Sequence, residues 1–206
     1  MPLSTYDELK SSIADFLNRD DLTNQIPDFI TLAEKRMNRE IRHWRMETRS
    51  NAVIDSQFSA LPSKFLEPIR MSLLTAATQP LEMVGPYEIS DLRARNSNST
   101  GQPKHFAILD GSIEVEPAPD GNYDLELLYY REIDALTDTN TSNWVLEYHP
   151  DAYLYGALAH SAPFLQEDQR LQTWEILYQA AVGAINMESE KSKTGGSGRR
   201  MKIRSY

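Results

Sequence analysis

Cysteine is absent from this chain of 206 residues, which excludes disulfide bonds, thiolate nucleophiles and cysteine-ligated metal sites. Long apolar runs are absent as well, because no stretch approaches the ~18 consecutive apolar residues of a membrane-spanning helix. The first ten residues, MPLSTYDELK, lack the apolar segment of a secretory signal peptide. We therefore expect a soluble protein made in a cytoplasm, with a chain long enough to bury a hydrophobic core.

The usual signatures of catalysis and cofactor binding are also missing. The histidines lack the HExxH spacing of a metal site. They are His43, His105, His149 and His160. The glycine cluster at 195–198 follows no predicted strand and opens no helix, so it does not predict a phosphate-binding loop. Glu114 and Glu116 share one face of a predicted strand, but 30 acidic residues make such pairs inevitable, and a solvated face is expected. The sequence therefore predicts no catalytic residue, no metal ligand and no cofactor.

What the chain has instead is an uneven distribution of charge. The net charge is −9, from 21 Lys and Arg against 30 Asp and Glu. Residues 191–206 carry six basic residues and no acidic one, and removing these six charges leaves −15 on residues 1–190. An acidic body is a poor general ligand for nucleic acid, because phosphates repel it. The pattern predicts an acidic folded body with a basic C-terminal arm.

Two helices are predicted at the N-terminus. Ser4 and Asp7 form a variant of the capping box in front of an apolar repeat. The repeat consists of Leu9, Ile13, Phe16 and Leu17. Thr23 or Asn24 is expected to cap the second helix, with Pro27 in its first turn. Its apolar stripe, over about five turns, consists of Ile26, Phe29, Ile30, Ala33, Met37, Ile41 and Trp44.

Between residues 47 and 142 the pattern changes to short candidate strands separated by proline and glycine. The predicted strands are Ser50–Ile54, Pro68–Leu74, Leu81–Val84, Lys104–Leu109, Ser112–Glu116 and Tyr123–Tyr130. Asp110 and Gly111 are a strong hairpin signal, and Ile113 and Val115 alternate with glutamates as in a half-buried strand. A short helix is predicted over Pro86–Arg95. Strands of this length and spacing favour a small β-sandwich or barrel.

Helices resume near residue 143. Asn143 starts a turn, and Pro150 suits the first position of a helix that Pro163 bends or ends. A last helix is predicted to about Glu190, because apolar residues recur at helical spacing. They are Leu171, Trp174, Leu177, Tyr178, Ala181, Val182 and Ile185.

These elements predict an α+β fold. We expect residues 1–46 and 143–190 to form one helical bundle, because each pair of helices would otherwise leave an apolar stripe uncovered. Residues 47–142 are expected to form an inserted small β-sandwich or barrel. Residues 191–206 are expected to be an extended basic arm.

Three stretches carry a resemblance to a known family. They are DLTNQIPDFITLAEKRMNREIR at 21–42, NWVLEYHPDAYLYGALAHSAPFLQEDQRLQTWEILYQAAVGAIN at 143–186, and the tail after Glu190. In these stretches, which make up about half of the chain, the sequence resembles the head-to-tail adaptor (connector) proteins of tailed bacteriophages.

The resemblance implies a structural virion protein, not an enzyme, at the head–tail interface. Such adaptors form a ring of twelve subunits below the dodecameric portal, extend the DNA channel and offer a surface to a downstream tail or nozzle protein. Genomic DNA would pass through the ring without sequence-specific binding, and no membrane is involved.

The resemblance also points to the arm as the portal contact. The candidate portal-binding residues are Lys191, Lys193, Arg199, Arg200, Met201, Lys202, Ile203, Arg204 and Tyr206. The three apolar residues among the last six favour docking over a purely solvated tail. A second candidate interface is the basic face of the second helix, with Arg39, Arg42 and Arg45. The alternative for this face is a solvated surface with pairs such as Arg36 and Glu40.

Other functions stay open from the sequence. A stopper or tail-terminator ring protein lower in the tail is one alternative, although the basic arm argues against it. A virion-associated cell-wall hydrolase would need two carboxylates at a set separation in a cleft. A DNA-binding module is disfavoured by the net charge of −9.

Overall fold

The computed structural model describes residues 3–19, 21–75, 78–165 and 170–194. In these residues the protein is α+β, with six α-helices and two four-stranded sheets, as the sequence predicted at the level of α+β class. The chain divides into two compact units. The helical unit comprises Met1–Arg45 and Ile133–Tyr206, and the β unit comprises Met46–Glu132. No helix among the described residues is both long enough and apolar enough to cross a bilayer.

The helices are α1 (Tyr6–Leu17), α2 (Ile26–Glu40), α3 (Pro86–Arg95), α4 (Trp144–Tyr148), α5 (Pro150–His160) and α6 (Arg170–Thr194). Short 3₁₀ turns lie at Trp44–Met46 and Ala162–Phe164. Helix α3 belongs to the β unit, and the other five belong to the helical unit. Helix α6 continues to Thr194, four residues beyond the predicted end at Glu190.

Helix α1 begins one residue later than the sequence suggested. Its capping box is formed by Thr5 and Glu8, so the prediction of Ser4 and Asp7 was wrong. The Glu8 carboxylate accepts hydrogen bonds from the Ser4 hydroxyl and from the N–H groups of Ser4 and Thr5. These hydrogen bonds, together with one from the Thr5 hydroxyl, lower the pKa of the Glu8 carboxyl group below its ordinary value. Phe16, expected on the apolar face, is 46% exposed.

Helix α2 starts after Gln25, which makes no side-chain cap, so neither Thr23 nor Asn24 has the predicted role. The apolar stripe is buried as far as Ile41, where the backbone turns to an extended conformation. Trp44 lies outside the helix in the 3₁₀ turn and is 40% exposed. The stripe is therefore shorter than the five turns predicted.

Helix α5 is the most buried element of the helical unit, and it contacts α1, α2 and α6. Gly156 lies at the closest approach of three helices. A Cβ atom there would lie 3.1 Å from the Tyr178 ring of α6 and 3.2 Å from the Ala33 Cβ of α2. The absence of a side chain at this position lets α2 and α6 pack closely around α5.

The segment that returns to the helical unit, Ile133 to Asn143, is held by two buried polar residues of α2. Asn38 Oδ1 accepts the Ile133 N–H at 2.8 Å. Glu34 Oε1 accepts the Leu136 N–H at 2.7 Å and the Tyr153 hydroxyl at 3.1 Å. Burial raises the pKa of Glu34 although both bonds oppose it. These bonds satisfy backbone groups that would otherwise be buried without partners.

The β unit has strands β1 (Glu47–Ile54), β2 (Phe58–Ala60), β3 (Phe65–Leu73), β4 (Gln79–Pro80), β5 (Glu82–Met83), β6 (His105–Leu109), β7 (Ser112–Glu116) and β8 (Tyr123–Arg131). The sheet orders are β1-β8-β3-β4 and β2-β7-β6-β5. All pairs are antiparallel except β5 with β6, which is parallel. One apolar cluster draws side chains from both sheets. Its members are Ile54, Met71, Leu73, Leu81, Phe106, Ile113, Val115, Leu125, Leu127 and Tyr129.

One prediction for the β unit was wrong. Strand β7 was expected to expose Glu114 and Glu116, but these residues are 6% and 1% exposed. Helix α3 packs on β6 and β7 and covers that face. Its Arg93 forms ion pairs with both carboxylates, and Asn96 Nδ2 donates to Glu116 at 3.1 Å. The two glutamates therefore form a buried structural cluster with Arg93.

Candidate partner-binding site at the end of helix α2

The site lies where the end of α2, helix α4 and the last turns of α6 meet in the helical unit. Two side chains of α6 bind the backbone that leaves α2. Asn186 accepts the Arg42 N–H at 2.9 Å and donates to the Glu40 carbonyl at 3.0 Å. Ser189 accepts the Trp44 N–H at 3.1 Å. We call Asn186 and Ser189 the α6 anchor, because they satisfy backbone groups at the end of α2 and fix the position of α6 along it.

A buried histidine lies under the exposed surface. His43 is fully buried and stacks on Trp144, with ring centroids 4.8 Å apart. Its Nδ1 accepts the Arg45 N–H at 3.3 Å, and its Nε2 lies 3.8 Å from Glu188, too far for a hydrogen bond. Burial lowers the pKa of His43 below its ordinary value of 6.5. The imidazole is therefore neutral at pH 7 and acts as a packed aromatic ring.

The guanidinium of Arg45 contacts two aromatic rings. The centre of its guanidinium is 4.6 Å from the Trp44 ring centroid and 4.0 Å from the Tyr148 ring centroid. Trp44 is 40% exposed and Tyr148 is 51% exposed. In the ranges that the structure describes, the guanidinium has no carboxylate partner, and its Nε is buried without a hydrogen bond. We call Trp44, Arg45 and Tyr148 the Arg45 cluster. Tryptophan, tyrosine and arginine are the residue types most enriched at the energetic centres of protein interfaces.

The other two predicted interface arginines have different surroundings. Arg42 donates to the carbonyls of Asn38 and Ile41 at 2.9 and 2.7 Å, so it caps the end of its own helix. Arg39 is exposed on α2 and makes no hydrogen bond or ion pair to any described residue. Of the three arginines, Arg45 is the one that lies over aromatic rings.

The arm is described only at its beginning. Lys191 and Lys193 lie exposed in the last turn of α6, a few residues beyond the α6 anchor. The other predicted portal-binding residues lie outside the described residues. They are Arg199, Arg200, Met201, Lys202, Ile203, Arg204 and Tyr206.

The predicted ion pair between Arg36 and Glu40 is present, with 3.0 Å between Nε and Oε1. Arg36 does not lie on a solvated face, however, because its side chain is only 17% exposed. It also forms a two-point ion pair with Glu175 of α6, at 2.8 and 2.5 Å, and stacks over the Tyr178 ring. Arg36 lowers the pKa of Glu175 to about 2. This pair links α2 to α6 within the helical unit.

Several residues of the site were not selected from the sequence. Tyr148 was only one of ten tyrosines, and its partner Arg45 is distant in the chain. Ser189 did carry a signal, because it continues the buried stripe of Tyr178, Val182 and Ile185 by one helical turn. A polar residue on a buried stripe indicates a hydrogen-bonded contact.

The described residues contain no group of three or more His, Asp or Glu side chains arranged to hold a metal ion. No curated protein matches the chain. The family model of the SU10 adaptor protein matches residues 4–201, and the chain therefore belongs to this family of phage head–tail adaptors.

Proposed function

We propose that this chain is a ring-forming adaptor that docks on the portal, extends the DNA channel and recruits the tail. Family membership gives a structural protein of the virion. The observation that carries the finer proposal is the α6 anchor, which holds the last helix against α2 immediately before the basic arm. The arm therefore starts from a fixed point on the folded body, as a docking segment requires.

The proposal includes an architecture. The helices of residues 1–46 and 143–190 form one bundle, and the inserted β-sandwich of residues 47–142 offers its loops to the next tail component. Support comes from the close packing of α2, α5 and α6 at Gly156. It also comes from the apolar cluster shared by the two sheets.

The arm is proposed to bind an acidic surface of the portal. Its basic residues supply charge, and Met201, Ile203 and Tyr206 supply apolar contacts. Because α6 ends at Thr194, the 12 residues that follow can span at most about 40 Å. Identical subunits in a ring present unlike surfaces to each neighbour, and twelve copies are expected to match the portal. DNA passes through without sequence-specific contacts, because the acidic body repels phosphates.

Co-sedimentation with portal rings of the same phage tests the proposal. Full-length protein is compared with a truncation that ends at Thr194, which keeps α6 and the α6 anchor intact. We expect the full-length chain to bind at a fixed ratio and the truncation to remain in the supernatant. Binding of both would disprove the role of residues 195–206 in docking and leave the adaptor function standing.

If neither protein binds across a range of salt, the alternative of a stopper or tail-terminator ring lower in the tail replaces the portal adaptor. The alternative of a cell-wall hydrolase is disfavoured by the position of its candidate carboxylate pair. Glu114 and Glu116 are buried and paired with Arg93, whereas a glycosidase needs carboxylates that face a cleft.

A further inference from the structure

We propose that the Arg45 cluster receives a carboxylate side chain from a neighbouring copy of this chain. The inference rests on the proposed ring and names the surface through which one copy contacts the next. The partner is recognised by an arginine fixed between two partly exposed aromatic rings.

Arg45 differs from most arginines of the structure, which already have acidic partners in their own unit. These pairs are Arg19 with Asp21, Arg36 with Glu40 and Glu175, Arg49 and Arg70 with Glu126, Arg93 with Glu114 and Glu116, and Arg95 with Asp91. Many described arginines thus have an acid beside them, whereas the Arg45 guanidinium contacts two rings and forms no ion pair with a described residue. A guanidinium stacked on rings through its faces keeps its in-plane N–H groups for a carboxylate, which it can bind at two points.

The cluster is organised before any partner arrives. The Trp44 N–H is bound by Ser189, and the Arg45 N–H is bound by His43, so the backbone of the 3₁₀ turn is fixed. His43 itself is fully buried against Trp144. A fixed side chain loses little conformational entropy on binding, which increases the affinity gained from each contact. Arg39, which is exposed on α2 without such support, lacks this advantage.

The chemistry of the chain favours a second copy as the partner. Residues 1–190 carry a net charge of −15, so the surface of every neighbouring copy is rich in carboxylates. The helical unit exposes Asp15, Asp28 and Asp151, none of which forms an ion pair with a described residue. A cyclic ring joins one patch of a subunit to a different patch of the next. A cationic aromatic patch and an acidic patch form such a complementary pair.

The test uses full-length variants with a matched control. Arg45→Gln removes the charge, and Arg45→Lys keeps the charge but loses the planar, two-point geometry. Tyr148→Ala removes one ring from a half-exposed position. Arg39→Gln removes an exposed charge from α2 and serves as the control. Circular dichroism and thermal unfolding verify that each variant is folded.

Two readouts are measured: self-association by sedimentation velocity over a range of protein concentration, and the loading of portal rings as a function of protein concentration. We expect the two Arg45 variants and Tyr148→Ala to weaken association between copies by about tenfold or more. Loading of portal rings should lose its cooperativity, while binding at low occupancy stays at the wild-type level. Arg39→Gln should behave as wild type.

The outcomes separate the two proposals. If Arg45→Gln self-associates and loads like wild type, the inference is wrong. If it weakens binding at low occupancy and leaves cooperativity unchanged, the cluster binds the portal and the inference is equally wrong. If wild-type protein does not bind portal rings but self-associates through Arg45, the contact between copies is supported and the proposed docking on the portal is wrong. Wild-type protein that shows neither self-association nor cooperative loading overturns the inference.

Discussion

Two arginines, one in each unit of the molecule, have opposite surroundings. In the β unit, Arg93 of α3 forms ion pairs with two buried carboxylates, Glu114 and Glu116. In the helical unit, Arg45 lies between two half-exposed rings with no carboxylate among the described residues. The first arginine neutralises charges that its own fold has buried. The second has no such acid among the described residues, and we propose that it binds an acid of another copy.

Arg36 lies between these two extremes. It is paired with Glu40 and Glu175 and also stacks on Tyr178, and its side chain is 17% exposed. Ring stacking alone therefore does not mark an interface residue. The distinguishing feature of Arg45 is stacking without an internal acid, on rings that remain exposed.

The largest effect on stability is expected for Arg93→Met. The substitution leaves Glu114 and Glu116 buried without a counter-charge, and breaking a buried pair in this way costs about 3 to 5 kcal/mol of unfolding free energy. Urea unfolding followed by circular dichroism measures the change. Arg95→Met is the control, because Arg95 and Asp91 are 74% and 72% exposed and their pair contributes little. Equal stability of both variants would refute the structural role of Arg93.

Most strands could be predicted from the sequence. Burial could not be predicted where it depends on contacts between residues that are distant in the chain. Proline and glycine punctuation located the strands, and Asp110 and Gly111 do form the turn between β6 and β7, both with positive φ. Strand β2, with only three residues, lacked a detectable alternation. Glu114 was assigned to solvent because alternation describes one strand, whereas its burial depends on α3, which covers that face.

For the candidate site, exposure was easier to predict than geometry. The basic spacing of α2 selected Arg39, Arg42 and Arg45 together, but nothing local distinguishes them. Their different roles depend on where α2 ends and on which residues of α4 and α6 pack there. Trp44 was placed on the buried stripe because the period continues past Ile41, although the helix stops at Glu40.

The close packing that supports Arg36 can be tested at Gly156. Gly156→Ala adds a Cβ within 3.2 Å of Ala33 and 3.1 Å of Tyr178, so we expect a net loss of about 1 to 2 kcal/mol, since overpacking outweighs the gain in helix propensity. Gly183→Ala on α6 is the matched control. Nothing lies within 4 Å of its Cβ position, and it should gain about 0.5 to 1 kcal/mol. Chemical denaturation of both variants measures the change in unfolding free energy. A stabilised Gly156→Ala variant would contradict the close packing of α2, α5 and α6.

The Arg36–Glu175 pair should appear in the pH dependence of stability. Arg36 lowers the pKa of Glu175 from an ordinary value of 4.5 to about 2. A carboxyl group whose pKa is lower in the folded state contributes stability above the ordinary pKa and loses it as pH falls towards the folded value. Glu175→Gln should therefore lose less stability than wild type between pH 4.5 and pH 2. The expected difference is about 1 kcal/mol, because Glu175 is 44% exposed and solvent screens the pair.

Urea unfolding at several pH values measures this difference. Parallel curves for wild type and Glu175→Gln over that interval would show that the pair contributes nothing to the acid response. Glu147→Gln is a suitable control, since Glu147 is exposed and forms no ion pair with a described residue.

The smallest effect on stability is expected for Arg45→Gln, and this result would complete the comparison with Arg93. Removing Arg45 leaves no buried carboxylate unpaired, so only its contacts with the Trp44 and Tyr148 rings are lost, at a cost of about 1 kcal/mol or less. The same variant should weaken association between copies far more than it weakens folding. A loss of stability as large as that of Arg93→Met would show that Arg45 stabilises the fold. Arg45 and Arg93 would then not differ in the role proposed for them.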